Sequence, residues 1–392
     1  MHKVLILDAN QRSALAATRA LGAHAIPVVT SDVTRRTLAG ASKYSRASVV
    51  YPSPHDAPDD FIATLSRLIL QFDIDVLFPM TDVTTALVLK HRTRLPNVRI
   101  PCPSFETYDT VTDKYRLFQT AQKLGLPMPA TRFVDTGGLT PEVIAAVQFP
   151  AVLKPARSRI FAQGRWLSTS VKIAGSPQEL RRIIYAHTWF QDQPFLIQEY
   201  VHGQGQGIFA LYDHGRPLAF FAHQRLREKP PEGGVSVLSA SVPVSARMRQ
   251  IAEALLTPIN WHGVAMVEFK VASDGTPYLM EINGRFWGSL QLAVDAGVDF
   301  PHLLYRLALG ETIPAVKNYK MGVKSRWLLG DLDHLYLKLK ANRTKVGVSE
   351  KLRAIGRFCT PYQRGMRYEV NRLHDLGPFL FELQAYLGLT PR

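Results

Sequence analysis

The sequence predicts an α/β unit, then an α+β unit, then a basic helical extension. Three observations carry this. Short apolar strands alternate with amphipathic helices over the first hundred residues, strands and hairpin turns mix with helices in the middle, and helical periodicity with positive charge takes over at the end. At 392 residues the chain suffices for two or three packed units. Hydrophobic residues at 46%, aromatics at 10% and charged residues at 20% exclude disordered and fibrous classes. With Cys102 and Cys359 as the only cysteines, a disulfide framework and a four-thiolate zinc site are excluded, and a reducing compartment is expected. Asp8 and Asn10 interrupt the first apolar run before a signal peptide is complete, and no stretch approaches the roughly 20 apolar residues of a membrane span, so a cytoplasmic location is expected. The net charge of +15 suits an anionic partner: a phosphate-bearing small molecule, nucleic acid or anionic lipid.

Residues 4–7 read as a strand, residues 13–21 as a helix closed by Gly22, and residues 26–29 as the next strand, which is βαβ order. Residues 75–78 and 98–100 extend it into an open, Rossmann-like parallel sheet. Where a dinucleotide-binding fold carries Gly-x-Gly-x-x-Gly, this chain has Asp8-Ala9-Asn10-Gln11-Arg12-Ser13, so that fingerprint is absent. From Asp113 the character changes. A helix over 114–124 stops at Gly125, and residues 149–155 read as a buried strand ending at Lys154. Ser176-Pro177-Gln178-Glu179 opens a helix with a capping box, and residues 195–201 form the following strand. A glycine-rich loop at 203–207, a hairpin turning at Asp213-His214-Gly215 and a loop at 230–234 follow. There is no internal repeat and no low-complexity tract.

Residues 264–271 and 278–283 alternate apolar and polar side chains around Asp274-Gly275, a strong hairpin signal. With those two residues at the centre of the turn, Glu268 and Glu281 face each other, Asn283 shares their face, and Val267, Phe269, Tyr278, Met280 and Ile282 fill the other. Facing carboxylates repel, and a cation resolves the conflict. Two carboxylates and an amide suit Mg²⁺ or Mn²⁺. On spacing alone, a solvated hairpin with incidental acids explains the pattern equally well.

Lys114 after Asp113, Lys154 closing Ala151-Val152-Leu153, Gln198-Glu199-Tyr200-Val201, and Glu268 with Met280-Glu281-Ile282-Asn283-Gly284-Arg285 resemble the ATP-grasp superfamily, most closely its carbamoyl-phosphate-synthase-like carboxylate–amine ligases. The resemblance covers residues 1–315. It implies a pre-ATP-grasp domain at 1–112, an ATP-grasp small lobe at 113–187 and a large lobe with the metal site at 188–315, leaving 316–392 as the basic extension. It implies that Lys114 and Lys154 contact ATP phosphates, that Glu199 and the Val201 backbone hold the adenine beside Gln198, and that Glu268, Glu281 and Asn283 bind Mg²⁺ (or Mn²⁺). Arg285 and Lys154 would steady the transferring phosphate. Such cations are what phosphoryl transfer needs, since its catalysis is positioning plus charge neutralisation.

Read alone, Lys114 is an ordinary first-turn lysine, disfavoured by the helix dipole, and Glu199 fits a structural ion pair. Lys154 is harder to dismiss, because a charge ending a buried strand needs a partner. Two departures from the family pattern stand out. The lid carries Arg157, Arg159 and Arg165 where glycine and serine are common, and Gln204 stands where an acid often holds the ribose. His223, Arg225 and Arg227 alternate along one strand face and could bind an anionic substrate or line a wet surface. The loop at 230–234 followed by Ser236 is either an acceptor-side anion loop or a plain hairpin loop.

Residues 317–392 hold fifteen Lys/Arg against six Asp/Glu. Leu332, Leu335, Tyr336 and Leu339, then Phe379, Leu380, Phe381, Leu383 and Leu387, mark amphipathic helices. Helices covering the ligase core explain them better than docking to a membrane surface or an acidic partner protein. No zinc, RNP or helix-turn-helix signature supports nucleic-acid binding. The expected function is an ATP- and Mg²⁺-dependent ligase that activates a small carboxylate as an acyl phosphate for an amine or a thiol and releases ADP and phosphate. A nucleotide-binding regulatory or scaffold protein without turnover is the alternative, and a homo-oligomer fits either.

Overall fold

The computed structural model describes residues 2–162, 165–231, 233–316, 318–342, 346–360 and 365–389. Strands Ser45–Val50, Val28–Asp32, Val4–Ile6 and Val76–Phe78 form, in that order, a parallel sheet. Val4, Leu5 and Ile6 are wholly buried, as a parallel strand covered on both faces requires. Residues 98–100 add only a bridge from Arg99 to Val76, because Pro96 and Pro101 bracket the segment. The first helix, Arg12–Ala23, runs through Gly22. The left-handed residue falls at Ala25, and Gly22 instead makes room for Tyr44, whose ring would lie 2.5 Å from an added Cβ. The polar groups of the loop at 8–13 are taken up by neighbouring segments. Asp8 accepts from the Met80 amide at 3.1 Å and the Thr84 hydroxyl at 2.6 Å, while Asp32 accepts from the Asn10 amide at 2.8 Å. Burial lifts the Asp8 carboxyl to about 6.

A second, antiparallel sheet has the order Thr131–Val134, Phe195–Glu199, Ala151–Pro155, Lys172–Ala174. Phe195–Glu199 therefore lies in one sheet with Ala151–Pro155. Its run Phe195-Leu196-Ile197 is apolar on both faces, which a central strand needs and an edge strand does not. The sheet has its own core, including Leu153, Leu180, Ile184 and Phe190. The expected capping box is half formed: Ser176 accepts from the Glu179 amide, but Glu179 accepts from Gly175.

The third sheet has seven strands: Pro277–Asn283, Gly263–Val271, Gln204–Asp213, Arg216–Lys229, Val235–Val242, Lys324–Arg326 and Met366–Tyr368. Two apolar clusters join it to the first domain, one holding Leu5, Tyr108, Ile208 and Trp261, the other Val4, Phe209, Trp287 and Phe300. Its last two strands come from the extension, which is therefore not purely helical. Lys324-Ser325-Arg326 carries no apolar residue and Met366-Arg367-Tyr368 alternates over only three residues, yet Ser325 and Arg326 are buried, Arg326 being neutralised by Asp331 at 2.7 Å. Helices Leu328–Lys340, Val348–Cys359 and Gly377–Tyr386 make up the rest of its regular structure among the described residues. Arg19 with Asp375 at 2.7 Å, Arg372 with Asp295 at 2.5 Å, and Arg12 with Glu369 tie the extension to the body of the protein. Phe379 and Phe381 pack on the core, whereas Tyr336, Leu380 and Leu387 are exposed. No helix among the described residues is long and apolar enough to cross a membrane.

Candidate active site

Between the two antiparallel sheets lies a cleft of about 510 Å³. The hairpin Gly263–Val271/Pro277–Asn283 supplies its acids, with Glu268 directly opposite Glu281. Near the turn the pairing differs by one residue from the expected register, Val271 facing Pro277, and a bulge between Glu268 and Phe269 restores it. The bulge re-aims the intervening residues. Leu279 is buried on the core side, while Tyr278 and Met280, expected in the core, are only half-buried and Met280 lines the cleft. Asn283 donates to Glu268 and to Glu281, at 3.2 Å each. The three side chains thus converge on one point. Half a turn of the Asn283 amide presents a third oxygen there, a donor set that fits Mg²⁺ or Mn²⁺.

Cations frame these acids. Lys114, the first residue of helix Lys114–Lys123, is buried, with Nζ 3.0 Å from Glu281 Oε2 and 3.0 Å from the Ser158 hydroxyl. Burial alone would lower its pKa, but the Glu281 carboxylate overcomes this and raises it, offsetting the unfavourable helix dipole as well. Lys114 in turn holds Glu281 down at about 2, against its burial. Glu268 moves the other way, raised by burial and by Glu281 despite Arg225. Lys154 is buried with Nζ 3.8 Å from the Met280 sulfur and 5.4 Å from the Phe118 ring centre, and no carboxylate pairs with it among the described residues. Burial, helped by Lys114, pulls it down to about 8 despite Glu281. As its ammonium discharges through pH 8, a protein that binds phosphate with Lys154 should lose ATP affinity. The KM for ATP is expected to rise by up to roughly tenfold per pH unit above that value, and a Lys154→Met variant should not show the rise. A flat wild-type profile between pH 7 and 9 would remove Lys154 from the phosphate site.

Arg285, just past the hairpin, donates from Nε and Nη2 to Asp82 at 2.7 and 3.0 Å and from Nη2 to Asn283 Oδ1 at 3.3 Å. Asp82 opens helix Asp82–Lys90 of the first domain. Nothing in its local sequence marks it as part of a site 200 residues away. Arg225 is the second long-range partner, donating to Glu268 at 2.5 Å and Glu228 at 3.0 Å. His223 also lines the cleft, its burial holding the imidazole well below its ordinary pKa. Arg227 does not join them: bulges between Arg225 and Glu228 break the alternation, and Arg227 turns to Asp331 at 2.7 Å.

At the other end of the cleft stand Gln198, Glu199, Tyr200 and Val201, walled by Val152, Ile173 and Phe269. Gln198 is buried, donates to Thr131 at 2.8 Å and leaves Oε1 without a partner. Glu199 accepts from the Ala130 amide at 3.1 Å, and the Val201 carbonyl accepts from Lys270 at 3.4 Å. Gln204 is not brought into the cleft; its amide donates to the Arg225 carbonyl at 3.4 Å. Of the lid arginines, Arg157 is paired with the carboxylates of Asp109 and Asp113, each at 2.9 Å, and Arg159 with the Ser168 hydroxyl across hairpin Arg159–Ala162/Arg165–Ser168. Gln163 and Gly164 of that lid, and Glu232 of the loop at 230–234, lie outside the described residues. Gly233, Gly234 and Ser236 line the cleft, the Ser236 hydroxyl being buried without a partner.

Residues 191–330 match a family model described as ATP-grasp in the biosynthetic pathway with Ter operon. The uncharacterized protein y4rH of Sinorhizobium fredii is 26% identical over 361 residues, 85% of this chain and 69% of that protein. The carbamoyl phosphate synthase large chain of Pyrococcus furiosus is 21% identical over 66% of this chain, which spans only 26% of the synthase. Among solved structures, biotin carboxylase from Campylobacter jejuni superposes with a TM-score of 0.64 at 17% identity, covering 83% of this chain and 74% of that one.

Proposed function

We propose that this chain, a member of the ATP-grasp superfamily, is an ATP- and Mg²⁺-dependent ligase that joins a carboxylate to an amine through an acyl phosphate. The observation that carries this reading is the facing pair Glu268 and Glu281 with Asn283, framed by Lys114, Lys154 and Arg285. Those cations surround the place where charge would build on a transferring phosphate, and Glu268, Glu281 and Asn283 would hold a divalent cation that neutralises more of that charge. The orphaned Gln198 Oε1 suits an adenine amino group, with Val152, Ile173 and Phe269 supplying apolar walls for the ring. A substrate carboxylate oxygen would attack the γ-phosphorus and release ADP. The amine nitrogen would then attack the acyl carbon, expelling phosphate and losing a proton. Coupling to ATP makes this otherwise uphill amide synthesis run.

ADP release by the purified protein with Mg²⁺-ATP, challenged with pooled amino acids and short carboxylic acids with and without an amine, tests the reading. Release that depends on both a carboxylate and an amine is expected. Release with a carboxylate and a thiol would move the product to a thioester. The engaged Arg157 favours one second reading, a nucleotide-binding regulator, since its guanidinium is already taken by Asp109 and Asp113. Tight ATP binding with no ADP release from any pool would support that reading instead.

A further inference from the structure

A second cavity of about 310 Å³ lies where strand Arg216–Lys229 meets helices Leu328–Lys340 and Val348–Cys359 of the extension. Arg225 and Glu228 line both this cavity and the cleft, so the two spaces adjoin at these side chains. Arg225 stands at that junction. One end meets Glu268 at 2.5 Å, and the other meets Glu228 at 3.0 Å and the Gly234 carbonyl at 3.1 Å.

The far side of the cavity holds more positive charge than its own acids neutralise. Asp331 is shared by Arg227 and Arg326, at 2.7 Å each, and Glu350 is taken by Lys338 at 2.9 Å. Arg353 and Arg357 line the cavity one helical turn apart. Among the described residues neither has a carboxylate partner; Arg353 donates only to the Ser349 carbonyl, at 3.3 Å. Arg227 Nε is a further buried donor with no acceptor. Paired guanidinium groups with unused donors recognise carboxylates and phosphates better than any other side chain does. The volume exceeds what a lone inorganic ion fills and suits one end of a larger molecule.

We propose that this cavity binds a second anionic group, carboxylate or phosphate, on the carboxylate substrate of the ligase, whose reacting carboxylate lies on the cleft side of Arg225 and Glu228, beside Glu268. The inference rests on the ligase reading and gives the extension a role: it supplies Arg353 and Arg357 as specificity determinants. Free positive charge at this end of the extension then serves the substrate rather than a membrane.

ADP release is measured with aspartate, glutamate and O-phosphoserine against alanine, glutamine and serine, each with a pool of amines, for the wild type and the Arg353→Ala/Arg357→Ala double variant. Only compounds with the extra anion should stimulate the wild type, and the variant should raise their KM at least tenfold while leaving the KM for ATP unchanged. The carboxylate and phosphate arms identify which anion is preferred. Equal use of the uncharged analogues, or an unmoved KM in the variant, overturns the proposal. Calorimetric titration of glutarate and of inorganic phosphate into both proteins decides the case if no compound is turned over. Binding seen in the wild type and lost in the variant supports the site; no binding, or equal binding, overturns it. ATP binding measured on the same samples separates this failure from failure of the ligase reading, which would show as no ATP binding or no turnover with any carboxylate.

Discussion

Glu281→Gln should cut Mg²⁺-ATP turnover by roughly 10²–10³-fold or more. The glutamine can still accept a hydrogen bond from Lys114 or Asn283, now 3.0 and 3.2 Å from the carboxylate, so the hairpin should fold. What it cannot supply is the charge that opposes a divalent cation. The substitution also removes the like-charge contact with Glu268, whose pKa should fall back toward its ordinary value as that repulsion disappears. Binding of Mn²⁺ followed by electron paramagnetic resonance should weaken in parallel with turnover, whereas nucleotide binding measured in EDTA should change little. Turnover within tenfold of the wild type would show that the facing carboxylates do not hold the metal. A lost affinity for metal-free nucleotide would instead make Glu281 an organiser of Lys114.

The facing of these two acids was legible because local chemistry sets it: Asp274-Gly275 marks the turn, and alternation does the rest. The bulge beside Glu268 was not, since an inserted residue leaves no trace in composition. It returns the strands to the expected register at Glu268 while carrying Met280 from the core face to the cleft. The first parallel strands and the helices after Asp113 and Ser176 were legible for the same local reason. Partners far apart in sequence were not. Asp82 and Arg285 are separated by 203 residues and Arg225 and Glu268 by 43, and neither pair shares a motif. The two strands of the extension escaped because each is only three residues long and Lys324-Ser325-Arg326 is wholly polar. The buried charge of Arg326 is balanced by Asp331, five residues further along the chain. Lys114 is the converse case. Its local reading as a surface lysine fails because a carboxylate from another unit reaches it.

Replacing Arg285 should have the second large effect, and the pair it makes with Asp82 tells what kind. The two-point contact, at 2.7 and 3.0 Å, fixes the guanidinium plane beside Asn283. Lysine cannot reproduce that fork, so Arg285→Lys should lower kcat by roughly 10²-fold or more even though the charge remains. Asp82→Asn, which leaves the arginine present but loosely held, should cost roughly 10- to 100-fold. Both should leave the KM for ATP near the wild-type value; a fall in thermal stability with kcat unchanged would make the pair merely structural. Arg285→Ala adds a pH signature. Burial would raise the Asp82 pKa, but Arg285 overcomes this and holds it below the ordinary value. In the wild type the carboxylate therefore contributes stability above its unfolded pKa of about 4 and loses that contribution only as pH falls through the lower folded value. Without the arginine the sign reverses: the partly buried charge is penalised, its pKa rises, and protonation relieves the penalty. The loss of stability, about 2 kcal/mol, should accordingly be largest at pH 7 and shrink toward pH 4.5. Melting curves at the two values distinguish this from a loss that is the same at both, which would place the destabilisation in packing rather than in the Asp82 charge.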